Sequence, residues 1–66
     1  MNPKYSDVHV QLTGADGNAY AIMGAVSQAL RRAGVSAEQI QEYTMESTSG
    51  DYDHLLGTAM AWVDVS

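Results

Sequence analysis

Apolar and polar positions alternate along this chain in two different periods, and the change of period marks its elements. Residues 5–13 alternate with period two. Val8, Val10 and Leu12 point one way, while Asp7, His9, Gln11 and Thr13 point the other, which predicts a strand with one buried face. The turn at 14–17 carries two glycines and breaks that strand. From Ala19 the period becomes helical. Ala19, Ile22, Met23, Val26, Ala29, Leu30 and Ala33 share one arc, with Ser27, Gln28, Arg31 and Arg32 opposite. Asp16 or Asn18 is placed to cap the start. Gly34 stands where a left-handed C′ residue is needed. Arg31 and Arg32 fall in the last turn, where positive charge meets the negative end of the dipole.

A second helix is predicted from Ala37 to about Thr48. Ser36 with Gln39 makes a capping-box pattern, and Val35 with Ile40 has the spacing of a hydrophobic staple. Its apolar face is thin: Ala37, Ile40, Tyr43, Thr44 and Ser47. It is therefore expected to dock lightly, with Gly50 as its stop. Asp51 can cap a third helix over Tyr52 to about Ala61. There Tyr52, Leu55, Leu56, Ala59 and Val63 share an arc, with Met60 and Trp62 at its edges. Ala61, Val63 and Val65 also alternate with Trp62, Asp64 and Ser66, which fits a short strand. A lone strand needs a partner. It finds one in residues 5–13 or in a second copy of the chain, and the first is preferred.

The fold class is thus α+β in a single small domain spanning residues 1–66. It has an N-terminal strand, three helices, and a short C-terminal strand beside the first. The expected core is Val8, Val10, Leu12, Ile22, Val26, Leu30, Ile40, Leu55, Leu56 and Val63. At 66 residues the stability is marginal, and with no Cys nothing staples it. Met1 to Lys4 reads as a loose leader with no apolar run behind it, so no signal peptide is expected. No apolar stretch reaches the length of a membrane span. A cytoplasmic location is the expectation.

Charge changes the picture. Eight Asp and Glu face three Lys and Arg, for a net charge of −5. This disfavours direct nucleic-acid binding and anionic membrane surfaces, both of which need cations. It suits a basic protein partner approached by electrostatic steering. On the second helix Glu38, Glu42 and Glu46 are four apart, so they stack about 6 Å from one another along one face. No Lys or Arg of that helix relieves them, and Asp51 and Asp53 continue the charge beyond its end. A solvated helix face explains such a row equally well. As a docking surface it would imitate phosphates at about half the density of one DNA strand, which carries a charge per ~3.4 Å. Met45 lies beside Glu38 on the wheel. Tyr20 falls on the polar side of its helix, a candidate interface anchor.

Other chemistry does not assemble. His54 follows Asp51 and Asp53, but His9 is the only other His and lies on the outward face of its strand, so no metal site is expected. The segment 13–18 joins strand to helix but lacks GxGxxG, a Lys, and the ligand spacing of a calcium loop. No nucleophile has a defined context. No catalytic residue and no cofactor are expected.

The segments DGNAYAIMGAVSQALRRAGVS and SGDYDHLLGTAMAWVDV resemble a group of small acidic proteins of bacteria, phages and mobile elements. The resemblance covers about Val8 to Val65. Within that group the chain is similar to anti-CRISPR proteins of the type I-C class. The resemblance implies an inhibitor whose acidic surface occupies the DNA-reading groove of a CRISPR surveillance complex and blocks target binding. It aligns no individual residues. The partner-binding candidates Glu38, Glu42, Glu46, Asp51 and Asp53 come from the helical wheel alone. The competing expectation is a small regulatory interaction module that pairs as a homodimer, although a monomer is preferred.

Overall fold

The computed structural model describes residues 3–11 and 18–65. Leu12, Thr13, the turn at 14–17 with the alternative cap Asp16, and the first two residues of the expected leader lie outside the described residues. The order is β1 (Tyr5–Val10), α1 (Ala19–Arg32), α2 (Ala37–Ser47), α3 (Tyr52–Trp62) and β2 (Val63–Val65). The expected α+β architecture is present, and β2 does pair with β1. The pairing is parallel, with Tyr5 opposite Val63, His9 opposite Asp64 and Val10 opposite Val65, and an irregularity between Tyr5 and His9. Parallel neighbours need a long crossover, and the three helices supply it. The Lys4 amide extends the pairing by donating to the Ala61 carbonyl at 2.8 Å.

Each helix begins and ends for a local reason. Asn18 is the cap of α1, its side chain accepting from the Tyr20 amide at 2.9 Å. At the other end Gly34 takes φ +85°. Gly34 N–H donates to Arg31 and Val35 N–H to Leu30, which together form a Schellman motif. Val35 is thereby folded back onto the core. Ser36 accepts from the Gln39 amide at 3.3 Å to start α2. Gln39 does not complete the capping box. Its side-chain oxygen accepts from Lys4 and Tyr5 instead, at 2.9 and 3.3 Å. Asp51 starts α3 by accepting from the His54 amide at 2.9 Å.

The α2–α3 joint is clamped by His54. Its Nε2–H donates at 2.9 Å to the Glu46 carbonyl in the last turn of α2, which also accepts from the Ser49 amide at 3.3 Å. Ser49 Oγ donates to the same carbonyl at 2.7 Å. The imidazole thus places a donor at the negative end of a helix that has no basic residue in its last turn. Gly50 is required by packing. A Cβ there would lie 2.7 Å from the His54 ring.

The core is a single cluster. Val8, Val10, Ile22, Val26, Leu30, Ile40, Leu55 and Val63 are buried as expected, joined by Tyr43, Ala59 and Trp62. Leu56 is a correction, being only partly buried at the cluster's edge. The buried stripe of α3 runs through Leu55, Thr58, Ala59 and Trp62, rotated from the expected arc. That rotation leaves Tyr52 41% exposed and Met60 in solvent. Helix α2 also docks more firmly than its thin face implied, because Tyr43 and Ser47 are fully buried. Ser47 and Thr58 tolerate burial by donating to the carbonyls four residues back, at Tyr43 and His54.

Tyr43 is the exception among buried polar groups, since its hydroxyl has no partner. Burial pushes its pKa up from the ordinary 10.0, because a phenolate would be desolvated there. A raised folded value stabilises the fold below pH about 10 and withdraws that stability as pH rises through it. Replacing Tyr43 with Phe should leave stability at pH 7 unchanged or slightly higher, as an unpaired hydroxyl is removed. The same variant should lose less stability between pH 8 and pH 11 than the parent. Urea midpoints at the two pH values check this, and equal alkaline losses would contradict it. At the helix joint, Gly50→Ala should lower stability by about 1 kcal/mol, the scale of a lost helix-end contact. In a double-mutant cycle His54→Ala should then add little, since the ring has already been displaced. Additive losses would show that the ring and Gly50 act independently.

Candidate functional site

Helix α2 is amphipathic, so burying Ile40, Tyr43 and Ser47 turns the opposite side outward. Glu38, Glu42 and Glu46 all stand on that outer side. With Gln41 and Met45 they line one shallow open groove of about 480 Å³. Met45 is 65% exposed and adds an apolar side chain to that lining. Asp51 and Asp53 do not join this groove. Asp51 is spent partly on capping α3 and faces a different groove, between the start of α1 and the start of α3. Asp53 is exposed in the first turn of α3. The five candidates thus divide into a row of three on α2 and a pair at the head of α3.

Two of the three glutamates are oriented by neutral donors. Trp62 Nε1–H donates to Glu46 Oε2 at 3.2 Å. Gln39 Nε2–H donates to Glu42 Oε2 at 3.3 Å. Glu38 lies in the first turn of α2, where the dipole favours a negative charge. Glu46 lies in the last turn, where the dipole opposes it, and the indole hydrogen bond offsets that cost.

Cations are held elsewhere. Lys4 Nζ donates to Gln39 Oε1 and sits 4.3 Å from the centroid of the Trp62 ring, within cation–π range. The Gln39 amide therefore separates Lys4 from Glu42, taking the ammonium on its oxygen and the carboxylate on its nitrogen. Among the described residues the one contact of ion-pair geometry is between His9 Nδ1 and Asp64 Oδ2, at 2.6 Å across β1 and β2. Both are exposed, so the pair contributes little stability. Arg31 and Arg32 make no ion pair with any of the five acids.

Sequence reasoning missed Gln39 and Trp62 as the groups that hold the glutamates. The capping-box pattern pointed Gln39 at Ser36, and only the arrival of β1 alongside α2 redirects it. Trp62 stood at the edge of an arc with no hint of a donor role.

The Thr58 hydroxyl stands 3.5 Å from His54 Nε2, and the closer nucleophile–base approach among the described residues is Ser49 with His54, with Oγ and Nε2 3.0 Å apart. Both donate to the Glu46 carbonyl, so the imidazole nitrogen has no lone pair to take the serine proton. No three of His, Asp and Glu gather as a metal site among the described residues. No helix is long and apolar enough to cross a membrane. Comparisons with protein-family models, curated proteins and solved structures found no match to the chain.

The unrelieved row has a thermodynamic signature. Like charges at this spacing repel by roughly 0.2–0.5 kcal/mol per pair. Glu42→Gln, which removes the shared member of two such pairs, should raise the unfolding midpoint at low salt. The gain should vanish near 1 M salt, where the Debye length is about 3 Å. Thermal unfolding at two salt concentrations measures this, and a salt-independent change would mean the carboxylates do not feel one another.

Proposed function

We propose that this chain is a non-enzymatic binding protein that presents the outer side of α2 to a basic groove on a nucleic-acid-binding partner. The observation that carries this reading is the open row of Glu38, Glu42 and Glu46 around an exposed Met45, with no cation paired to it among the described residues. An amide and an indole N–H orient Glu42 and Glu46 without cancelling their charge. A partner's Arg and Lys can then supply the counter-charge. Their aliphatic stems can pack on Met45 while their heads meet the carboxylates.

The resemblance to type I-C anti-CRISPR proteins gives the proposal its specific form. The partner is then a CRISPR surveillance complex, and the acidic row competes with DNA phosphates for its binding groove. The chain acts as a monomer in the host cytoplasm and needs no cofactor. Asp51 and Asp53, on a separate surface, add long-range attraction rather than contacts.

The test is a competition assay with a purified type I-C surveillance complex and a labelled target duplex. The parent protein should reduce DNA binding, and its own affinity should fall steeply as salt rises. Glu38→Lys, Glu42→Lys and Glu46→Lys together should abolish inhibition while circular dichroism shows the fold intact. The corresponding Gln variant guards against misfolding of the Lys variant. A folded reversal variant that still inhibits as the parent does would overturn the role of α2. A parent that never binds the complex would overturn the choice of partner.

A further inference from the structure

Lys4 lies beside the glutamate row without pairing to it. Its backbone is anchored there, because its amide donates to the Ala61 carbonyl at 2.8 Å. Its ammonium donates to Gln39 Oε1 at 2.9 Å, and Gln39 Nε2–H donates to Glu42 Oε2 at 3.3 Å. Those two contacts and the width of one amide leave the ammonium within roughly 8.5 Å of the carboxylate. A direct ion pair needs about 4 Å, a difference that the flexible lysine stem covers by turning about its single bonds.

The amide between them has its orientation dictated by its neighbours. An ammonium only donates and a carboxylate only accepts, so the oxygen faces Lys4 and the nitrogen faces Glu42. The Tyr5 hydroxyl donates to the same oxygen at 3.3 Å, which makes three contacts on one amide. On its other side the ammonium rests 4.3 Å from the centroid of Trp62, whose N–H holds Glu46. One neutral group therefore stands between Lys4 and each of Glu42 and Glu46. Exposed ion pairs are worth little, so losing one neutral contact is enough to decide which partner Lys4 takes. Lys4 is also tethered, which gives it a high effective concentration against any cation arriving from solution.

We infer that Gln39 is a positioning residue of the α2 surface. Its amide is a spacer that keeps the chain's own Lys4 off Glu42 and leaves the row open to an outside cation. The inference rests on the reading of α2 as a surface for cations, and adds to it a competitor built into the fold. Without the spacer, Lys4 closes on the middle carboxylate of the row and blocks it from within.

The experiment compares the full chain with Gln39→Met, Lys4→Met and the double variant. Gln39→Met removes the amide, suits a helix and leaves the net charge unchanged. Nuclear Overhauser contacts between the Lys4 ε protons and the Glu42 γ protons should be absent in the parent and present in Gln39→Met. Hexalysine, titrated at low salt, should bind Gln39→Met about threefold more weakly than the parent, the scale of one exposed ion pair. In the Lys4→Met background the same change should cost nothing. That coupling distinguishes a spacer from a residue that merely supports α2, whose loss costs the same in both backgrounds. The inference is overturned if Gln39→Met shows no Lys4–Glu42 contact, or if its loss of affinity is equal with and without Lys4. A parent that ignores hexalysine overturns the reading of α2 itself. The proton contacts need no ligand and decide the spacer by themselves.

Discussion

The burial of one indole organises this molecule. Trp62 ends α3 at the point where the chain straightens into β2, and it is almost wholly out of solvent. Tyr5 from β1 stacks on it with centroids 5.8 Å apart, and Tyr43 from α2 meets it edge-on at 5.5 Å. Lys4 lies within cation–π reach of the same ring. Its N–H could not be buried without an acceptor, and Glu46 provides one. One side chain thus ties together β1, α2 and the α3–β2 junction. In a domain that buries only about 60% of its unfolded surface, such shared contacts carry a large part of the stability.

That arrangement also sets the electrostatics of the exposed side of α2. The carboxylate nearest the tryptophan is bonded to a neutral donor, and the next one along is bonded to Gln39. Had Lys4 reached either glutamate directly, the row would carry less charge toward solvent. Instead the ammonium is held by an amide oxygen and an aromatic face, both of which leave the glutamates formally charged. Stability and an acidic exterior are therefore products of the same contacts. Helix ends follow a similar economy. Asp51 begins α3 while His54, whose amide it holds, closes α2 with its ring.

The molecule consequently offers two open grooves of different character. The α2 groove is a ladder of carboxylates with an exposed methionine in its lining. The groove at the head of α3 is smaller, with Tyr20, Tyr52 and Asp51 among its lining residues. What they share is that no arginine of the chain neutralises them. Arg31 and Arg32 instead follow the dipole of α1, at its C-terminal end.

Local signals were legible in the amino-acid order alone. A cap at Asp16 or Asn18, the Gly34 stop, the Ser36 and Asp51 starts, the period-two strand and the stacking of Glu38, Glu42 and Glu46 all depend on residues within one or two turns of each other. Most of the core was legible for the same reason, since a buried stripe is a periodicity. The rest depended on elements distant in sequence. Leu56 and Tyr52 moved outward because α3 turned to bury Trp62. Gln39 left its capping role because Lys4 and Tyr5 came within reach from 35 and 34 residues away. Asp51 separated from the glutamate row because it caps α3 and lines another groove, and Asp53 stands exposed in the first turn of α3. Sequence thus determined each element and the spacing of its charges. Tertiary packing alone decided which neutral groups hold those charges, because hydrogen-bond partners are chosen by proximity in space.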